Sequence, residues 1–296
     1  MLCIMGTVPS DAFPLTEGTA VMDGERLQIG SVTIDVNRGT PALVAAAAVA
    51  ADTLGRPGPF VCLAGDTGTG KGSRRLYQHM TAALPGNSFR TIVFHYLQPI
   101  VHWHNRLEGI LEAMSPRPTL IADAGFMYVA KMSGRASIFD LFTPDVGELA
   151  FLADEEAPHP FYTRGFILHE ENRVPDLIAR AYRHGNAARH LLVKGARDYL
   201  ADEKGILETV DSHAEEAMEA MGGTGDTLTG LVSVLIDSGM SIRYAAPAAM
   251  RTNRLAGRLA RPTPATQIGE LIRHIPQALR HVLEASPENH RAKDTA

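Results

Sequence analysis

The residues best suited to chemistry lie in Met221-Gly222-Gly223-Thr224-Gly225-Asp226-Thr227-Leu228-Thr229-Gly230, where a cluster of glycines runs into an acid and then an apolar stretch. Leu228, Leu231, Val232, Leu235 and Ile236 recur at helical steps, which predicts a buried helix that Gly239 stops. The glycines then stand where a loop becomes a helix N-terminus. Unpaired N–H groups point outward there, the helix dipole is positive, and the missing Cβ atoms let an anion reach the backbone. Asp226 would repel that anion unless it had a second task. A carboxylate beside a phosphate-sized hole can take the proton from a hydroxyl about to accept a phosphoryl group. The same residues also fit a plainer reading, a glycine turn that starts a helix with an acid in its first turn.

A second glycine loop competes with the first. Gly65-Asp66-Thr67-Gly68-Thr69-Gly70-Lys71-Gly72-Ser73 follows the apolar run Phe60 to Ala64 and precedes a helix from about Arg74 to Leu84. It nearly fits the P-loop pattern, but Gly72 stands where a hydroxyl should bind Mg²⁺, and Ser73 comes one step late. Read as a P-loop, it would take Asp123 as its partner acid at a neighbouring strand end. Read more modestly, Lys71 reaches into a cleft and binds a substrate phosphate, or it is a solvated lysine on a flexible turn.

Both loops need a frame. Ser31 to Val36 reads as a strand, and Asn37-Arg38-Gly39-Thr40-Pro41 as a turn opening an alanine-rich helix to about Leu54. Thr91 to Tyr96, Pro118 to Asp123, Ser137 to Thr143 and His190 to Val193 read as further strands, with helices at Val101 to Met114, Val146 to Leu152 and Pro175 to His184. Tyr199 to Ala201 and Ile206 to Val210 form a hairpin, Ser241 to Leu259 a helix, and Ile268 to Val282 a last helix. Strands alternating with helices predict an α/β fold with a mostly parallel sheet covered on both faces, whose ligands bind at the carboxyl ends of the strands. Asp123, Thr143, Lys194 and the loop before Asp226 converge on that edge. Residues 1–30 read as an arm or edge hairpin, 31–284 as one catalytic domain, and 285–296 as a polar, disordered tail.

Composition bounds the function. The chain has 296 residues, 45% hydrophobic and 21% charged, with a net charge of −5, which gives no electrostatic footprint for a nucleic acid or an acidic membrane. Cys3 and Cys62 offer neither a disulfide framework nor metal-ligand spacing, which fits a reducing cytoplasm. Met1 to Leu15 lacks a basic stretch followed by a long apolar core, so no secretory leader is expected, and Pro41 to Ala51 is too short to span a bilayer. His95, His102 and His104 flank Trp103 but have no acid or thiol to complete a ligand set, so they read as packing and surface residues.

Three segments, in order, resemble the ribokinase-like superfamily, and within it the NAD(P)H-hydrate dehydratase branch. Thr143-Pro144-Asp145-Val146-Gly147-Glu148 is similar to the family's Thr-Pro-x-x-Gly-Glu, and Val193-Lys194-Gly195-Ala196 to its Val-Lys-Gly-Ala. Gly222 to Gly230 is similar to its Gly-Gly-x-Gly-Asp-x-Leu-x-Gly. The resemblance implies a three-layer sandwich and a reaction in which ATP or ADP, with Mg²⁺, phosphorylates a hydroxyl of hydrated NADH or NADPH. Loss of phosphate then restores the nicotinamide. Carried over, Asp226 is the general base, and the backbone of Gly223, Thr224 and Gly225 the anion hole. Lys194, Gly195, Asn253, Thr143 and Glu148 serve the nucleotide, with Glu148 holding Mg²⁺ through water. Asn37, Gly39, Asp123, Asp145 and Lys71 serve the acceptor. Asp145 stands where the branch carries His and kinases carry Asn, and Asp123-Ala124-Gly125 lacks the second acid of the branch's Asp-Ala-Asp.

Alternative functions are a kinase for a sugar or vitamin precursor, a P-loop NTPase, and a nucleotide sensor without chemistry; a sensor has no use for the base at Asp226. Edge strands in the first 30 residues would suit a homo-oligomer.

Overall fold

The computed structural model describes residues 1–163 and 173–285. Within it the chain forms two compact units, residues 1–17 with 60–209, and residues 18–59 with those from 210 onward, in place of the single 31–284 domain expected from the sequence. The expected tail falls, but for Ala285, outside the described residues. No helix among the described residues is long and apolar enough to cross a membrane.

The first unit is built on a mostly parallel sheet. Strands β1 (Leu2–Val8), β5 (Phe60–Gly65), β6 (Thr91–His95), β7 (Thr119–Asp123), β8 (Leu141–Phe142) and β9 (His190–Val193) run parallel. β10 (Asp198–Asp202) then reverses direction, and β11 (Gly205–Val210) closes the order β11-β10-β9-β8-β7-β6-β1-β5. The expected arm at the N-terminus is a correction here. Leu2–Val8 lies between β5 and β6, with every residue buried. A strand covered on both faces has no apolar–polar alternation to betray it. The strand expected over Ser137 to Thr143 contracts to two residues because Ala136–Ile138 winds into a 3₁₀ turn.

Cys3, Met5, Cys62, Ala64, Ile92, Phe94, Leu120 and Ala122 share one face of this sheet. Onto them pack α2 (Lys71–Ala83), α3 (Val101–Ala113) and α4 (Gly125–Met132) through Leu76, Tyr77, Met80, Leu107, Leu111 and Phe126. Phe94 and Phe126 stack with centroids 4.2 Å apart, and Phe139 meets Phe126 edge-on at 5.8 Å. Each such fully buried side chain contributes roughly 1.5–3 kcal/mol. α5 (Val146–Ala153) and α6 (Val174–Arg183) pack together in the same unit.

In the second unit β2 (Thr16–Asp23), β3 (Arg26–Ile29) and β4 (Val32–Asp35) form an antiparallel meander, so residues 16–29 hold the hairpin character expected of the N-terminal region. Two helices dominate the rest, α1 (Thr40–Thr53) and α7 (Thr224–Asp237). Both are apolar almost all round, the mark of a buried helix. α8 (Ile242–Ala260), α9 (Ile268–Ile272) and α10 (Ile275–Glu284) complete the unit. The single last helix expected from periodicity is two, because Pro276 lacks the N–H that would continue the first.

The contact between α1 and α7 is made by backbone. A Cβ on Gly230 would sit 2.3 Å from the Leu43 carbonyl oxygen and 3.2 Å from the Ala47 nitrogen. In an open helix, glycine to alanine is stabilising by roughly 0.5–1 kcal/mol. Here the clash dominates, and Gly230→Ala is expected to lower stability by roughly 1–3 kcal/mol in urea denaturation, as overpacking does. Gly269→Ala in α9, where nothing lies within 4 Å of the new methyl group, is the control and should not destabilise.

Candidate functional site

The glycine loop of the second unit is ordered by that helix pair. Gly223 caps α7 with φ 105°, and a Cβ there would meet Ile268 at 3.0 Å and Ala42 at 3.3 Å, so only glycine fits. Thr224 and Gly225 follow as the first residues of the helix, with amides that have no acceptor inside it. Asp226 lies in this first turn, partly exposed, and its Oδ2 accepts the Gly39 amide at 2.8 Å. Gly39, itself at φ 67°, is the N-cap of α1. Two helix N-termini therefore meet at one carboxylate.

Asn253 on α8 is buried, and its amide braces the loop from below. Its Oδ1 accepts from the Thr227 hydroxyl at 2.7 Å, and its Nδ2 donates to the Thr224 carbonyl at 3.0 Å. Asn37 is exposed in the turn before α1. Arg38, which the sequence reading passed over, lies beside the loop, its Cδ 3.3 Å from where a Cβ on Gly222 would be. Its signal was its position between Asn37 and Gly39 in the same turn.

A second constellation gathers at the carboxyl ends of β7, β8 and β9 in the first unit. Lys194 Nζ donates to both Asp123 oxygens, at 2.9 and 3.0 Å, with the lysine side chain only 11% exposed and the aspartate 1%. His95 Nε2, wholly buried at the end of β6, is 3.8 Å from Asp123 Oδ2. The sequence reading put His95 among packing residues, because nothing in the spacing says that β6 and β7 are neighbours. Thr143 is buried, its amide on the Ala122 carbonyl. Asp145 and Glu148 form a reciprocal capping box that starts α5: the Asp145 side chain accepts the Glu148 amide at 2.7 Å, and the Glu148 side chain accepts the Asp145 amide at 2.9 Å. Gly195 donates its amide to Asp198.

Loss of water pushes the Glu148 carboxyl up to about 8, against the pull of Lys194 and with the added repulsion of Asp123 and Asp145. The Tyr128 hydroxyl, 3.4 Å from Glu148 Oε1, is pushed far above its usual range by burial and by Glu148. Three carboxylates, those of Asp123, Asp145 and Glu148, thus face the one ammonium of Lys194 here. Carboxylate oxygens such as those of Glu148 are the ligand type a hard divalent cation such as Mg²⁺ takes. Gly125, in place of a second acid, has a structural reason: a Cβ there would sit 2.6 Å from the Leu97 carbonyl oxygen.

The loop at Gly65–Ser73 is filled from within. Asp66 Oδ1 accepts the amides of Gly68 and Gly70, and Oδ2 accepts the amide and hydroxyl of Ser73, all at 2.8–3.0 Å. The amides that would cradle a phosphate hold the chain's own carboxylate instead. Gly72 follows from the same geometry, since a Cβ there would lie 2.1 Å from the Gly65 carbonyl oxygen. Lys71 opens α2 and is exposed to solvent. Of the other histidines, His104 packs against Phe126 and Phe139, and burial pulls it down to about 4, so it is neutral; His102 is exposed.

Comparison with known proteins bears on these geometries. A model of the family described as NAD(P)H-hydrate dehydratase matches residues 98–277. An uncharacterized protein of Methanocaldococcus jannaschii is 41% identical over 225 residues, 76% of this chain and 92% of its own length. The bifunctional NAD(P)H-hydrate repair enzyme Nnr of Pyrobaculum aerophilum is 31% identical over 152 residues, which cover 49% of this chain and only 26% of that enzyme. Among solved structures, a ribokinase-like superfamily protein of Enterococcus faecalis matches with a TM-score of 0.58 at 14% identity, over 95% of this chain and 87% of its own. The ADP/ATP-dependent NAD(P)H-hydrate dehydratase of Bacillus subtilis, co-crystallized with ATP and Mg²⁺, matches at 0.55 and 13%, over 95% and 89%. The pyridoxal kinase of Staphylococcus aureus, in complex with ADP, also matches at 0.55 and 13%, over 87% and 88%. The fold is therefore ribokinase-like.

Two outcomes follow from the filled loop. Lys71→Ala is expected to leave ATP affinity unchanged in calorimetry, whereas a P-loop lysine would carry it. Burial by itself raises the Asp66 carboxyl, but the hydrogen bonds from Ser73, Gly70 and Gly68 outweigh it and hold the group below its ordinary 3.8. A lowered folded pKa stabilises above the unfolded value and is lost as pH falls through the folded one. Asp66→Asn should therefore melt earlier than wild type at neutral pH, with a gap in Tm that narrows in acid.

Proposed function

The chain belongs to the NAD(P)H-hydrate dehydratase family, and from that premise we propose that it uses ATP or ADP to phosphorylate a small-molecule hydroxyl, that of hydrated NADH or NADPH first among them. Phosphate then departs with its C–O bond pair while a proton leaves the neighbouring carbon, and the nicotinamide double bond is restored. The observation that carries this reading is the partly exposed Asp226 carboxylate, fixed by the Gly39 amide in the first turn of α7.

Asp226 takes the hydroxyl proton as the oxygen attacks phosphorus. The Gly39 hydrogen bond fixes the carboxylate's orientation beforehand. The amides of Gly223, Thr224 and Gly225 stabilise the charge that develops on the phosphoryl oxygens, and Arg38 beside Gly222 adds a cation. Asn253 acts on the loop through Thr224 and Thr227 and is a positioning residue. Glu148, with Asp145 and Asp123 beside it, would hold Mg²⁺, and that ion when bound neutralises phosphate charge. Lys194, Gly195 and Thr143 serve the nucleotide.

A second reading, a kinase that releases its phosphorylated product, draws on Gly125. The Leu97 carbonyl forbids any side chain there, so the acceptor edge lacks a carboxylate that the dehydratase branch carries.

The test mixes the protein with Mg²⁺, ATP or ADP, and hydrated NADH, and follows both NADH absorbance and phosphate release. Nucleotide-dependent recovery of NADH is expected. Asp226→Asn should keep nucleotide affinity and lose roughly 10²–10⁴-fold in turnover, the usual worth of a positioned base. Unchanged turnover in that variant would remove the mechanism. Phosphorylation of an alcohol without NADH recovery would select the kinase.

A further inference from the structure

Three side chains from separate stretches of sequence meet in the first unit: Glu17, the last residue of its N-terminal stretch, Cys62 in β5 and His79 in α2. Glu17 Oε2 and His79 Nε2 lie 2.7 Å apart. One carboxylate oxygen, one ring nitrogen and the Cys62 sulfur all stand within 4.8 Å of one another. The packing explains the meeting. Cys62 lies on the sheet face that α2 covers, and α2 docks there through Leu76 and Met80. His79 follows Leu76 by three residues and so stands at the edge of the docked face, its side chain 30% exposed. The Glu17 side chain is 52% exposed, whereas Cys62 is 2% exposed. The cluster is closed at its sulfur and open to water at its oxygen.

A histidine and a glutamate bonded at a surface need no third member, and a cysteine beside a histidine could also serve as a nucleophile. Neither reading accounts for the full set. Burial pushes the Cys62 thiol up to about 12, with the Glu17 charge adding to it, which leaves the bare sulfur unreactive. Sulfur, nitrogen and oxygen gathered at one point are instead the mixed donor set of a zinc site. Mg²⁺ is a hard cation that takes oxygen donors and gains little from sulfur. Once the thiol proton has gone to solvent, thiolate and carboxylate balance the double charge of the ion, with the imidazole neutral.

We propose that Glu17, Cys62 and His79 bind a thiophilic divalent cation, Zn²⁺ first, with water as the fourth ligand on the open side. The ion enters between Glu17 and His79, which part as the hydrogen bond they share gives way to two metal bonds of about 2.0–2.2 Å. Bound there, it staples residue 17 to β5 and α2, and the stability it adds follows its free concentration. The site stands apart from the reaction proposed above and draws on none of its residues.

The experiment takes the full chain, freed of metal with a chelator, and titrates it with Zn²⁺ and separately with Co²⁺, for wild type, Glu17→Gln, His79→Gln, Cys62→Ala and Cys3→Ala. Wild type should bind Zn²⁺ in the presence of excess Mg²⁺, and its Tm should rise as it does so. Co²⁺ should give the near-ultraviolet band of a thiolate–cobalt bond, kept in Cys3→Ala and lost in Cys62→Ala. Glu17→Gln and His79→Gln change partly exposed side chains and should fold as wild type does. Each should bind Zn²⁺ at least roughly tenfold more weakly, since even an outer partner of a metal site is worth that much. The Tm of every variant in chelator separates a lost ligand from a lost fold. Should Cys62→Ala fail to fold, the two surface variants and the cobalt band of wild type and Cys3→Ala decide. No Zn²⁺ uptake by wild type, no thiolate band with cobalt, or wild-type zinc affinity in either surface variant would overturn the site. So would a cobalt band that Cys3→Ala removes.

Discussion

The second unit depends on two helices touching backbone to backbone. At Gly230 the α7 chain approaches the Leu43 carbonyl of α1 too closely for any side chain. That approach brings the N-terminus of α1 to the N-terminus of α7, and Asp226 and the Gly39 amide meet as a result. Alanine over half of α1 serves the same end, since small side chains let the axes close up. The chemistry assigned to Asp226 is in this sense a property of helix packing. Its carboxylate is fixed by residues nearly two hundred positions away in the chain, and the loop in front of it by Asn253 from a third helix.

The first unit obeys a different constraint, the crowding of charge at strand ends. Asp123 is buried, and Lys194 lies on it from the end of β9, two strands away. Glu148 is reluctant to ionise because its carboxyl is shielded from water and is repelled by Asp123 and Asp145, which together outweigh the pull of Lys194.

Much of this was readable in the sequence, for identifiable reasons. Asp226 and its glycines announced themselves because a helix N-terminus has a local signature, and Asp123 and Lys194 because strands end where their apolar runs end. β1 was not readable, since Leu2–Val8 is covered on both faces and carries no periodicity to distinguish it from a loose arm. Nor was Asp66, which sequence pattern treats as one more residue of a phosphate loop, although hydrogen bonding makes it the loop's occupant. Arg38 and His95 depend on which strands and turns become neighbours, and that has no local code. Gly125 read as a missing acid, and only the nearby Leu97 carbonyl explains it as a requirement.

A carboxylate that fills its own anion nest has a consequence for how the loop behaves in solution. Asp66 is tethered a few residues from the amides it occupies, so it competes at an effective concentration that free millimolar phosphate does not approach. The segment from Gly65 to Ser73 therefore has its shape before any ligand arrives and keeps it after the ligand leaves. A nucleotide-binding P-loop gains order from its cargo. This one is indifferent to cargo, and so works as a fixed strut for its neighbours.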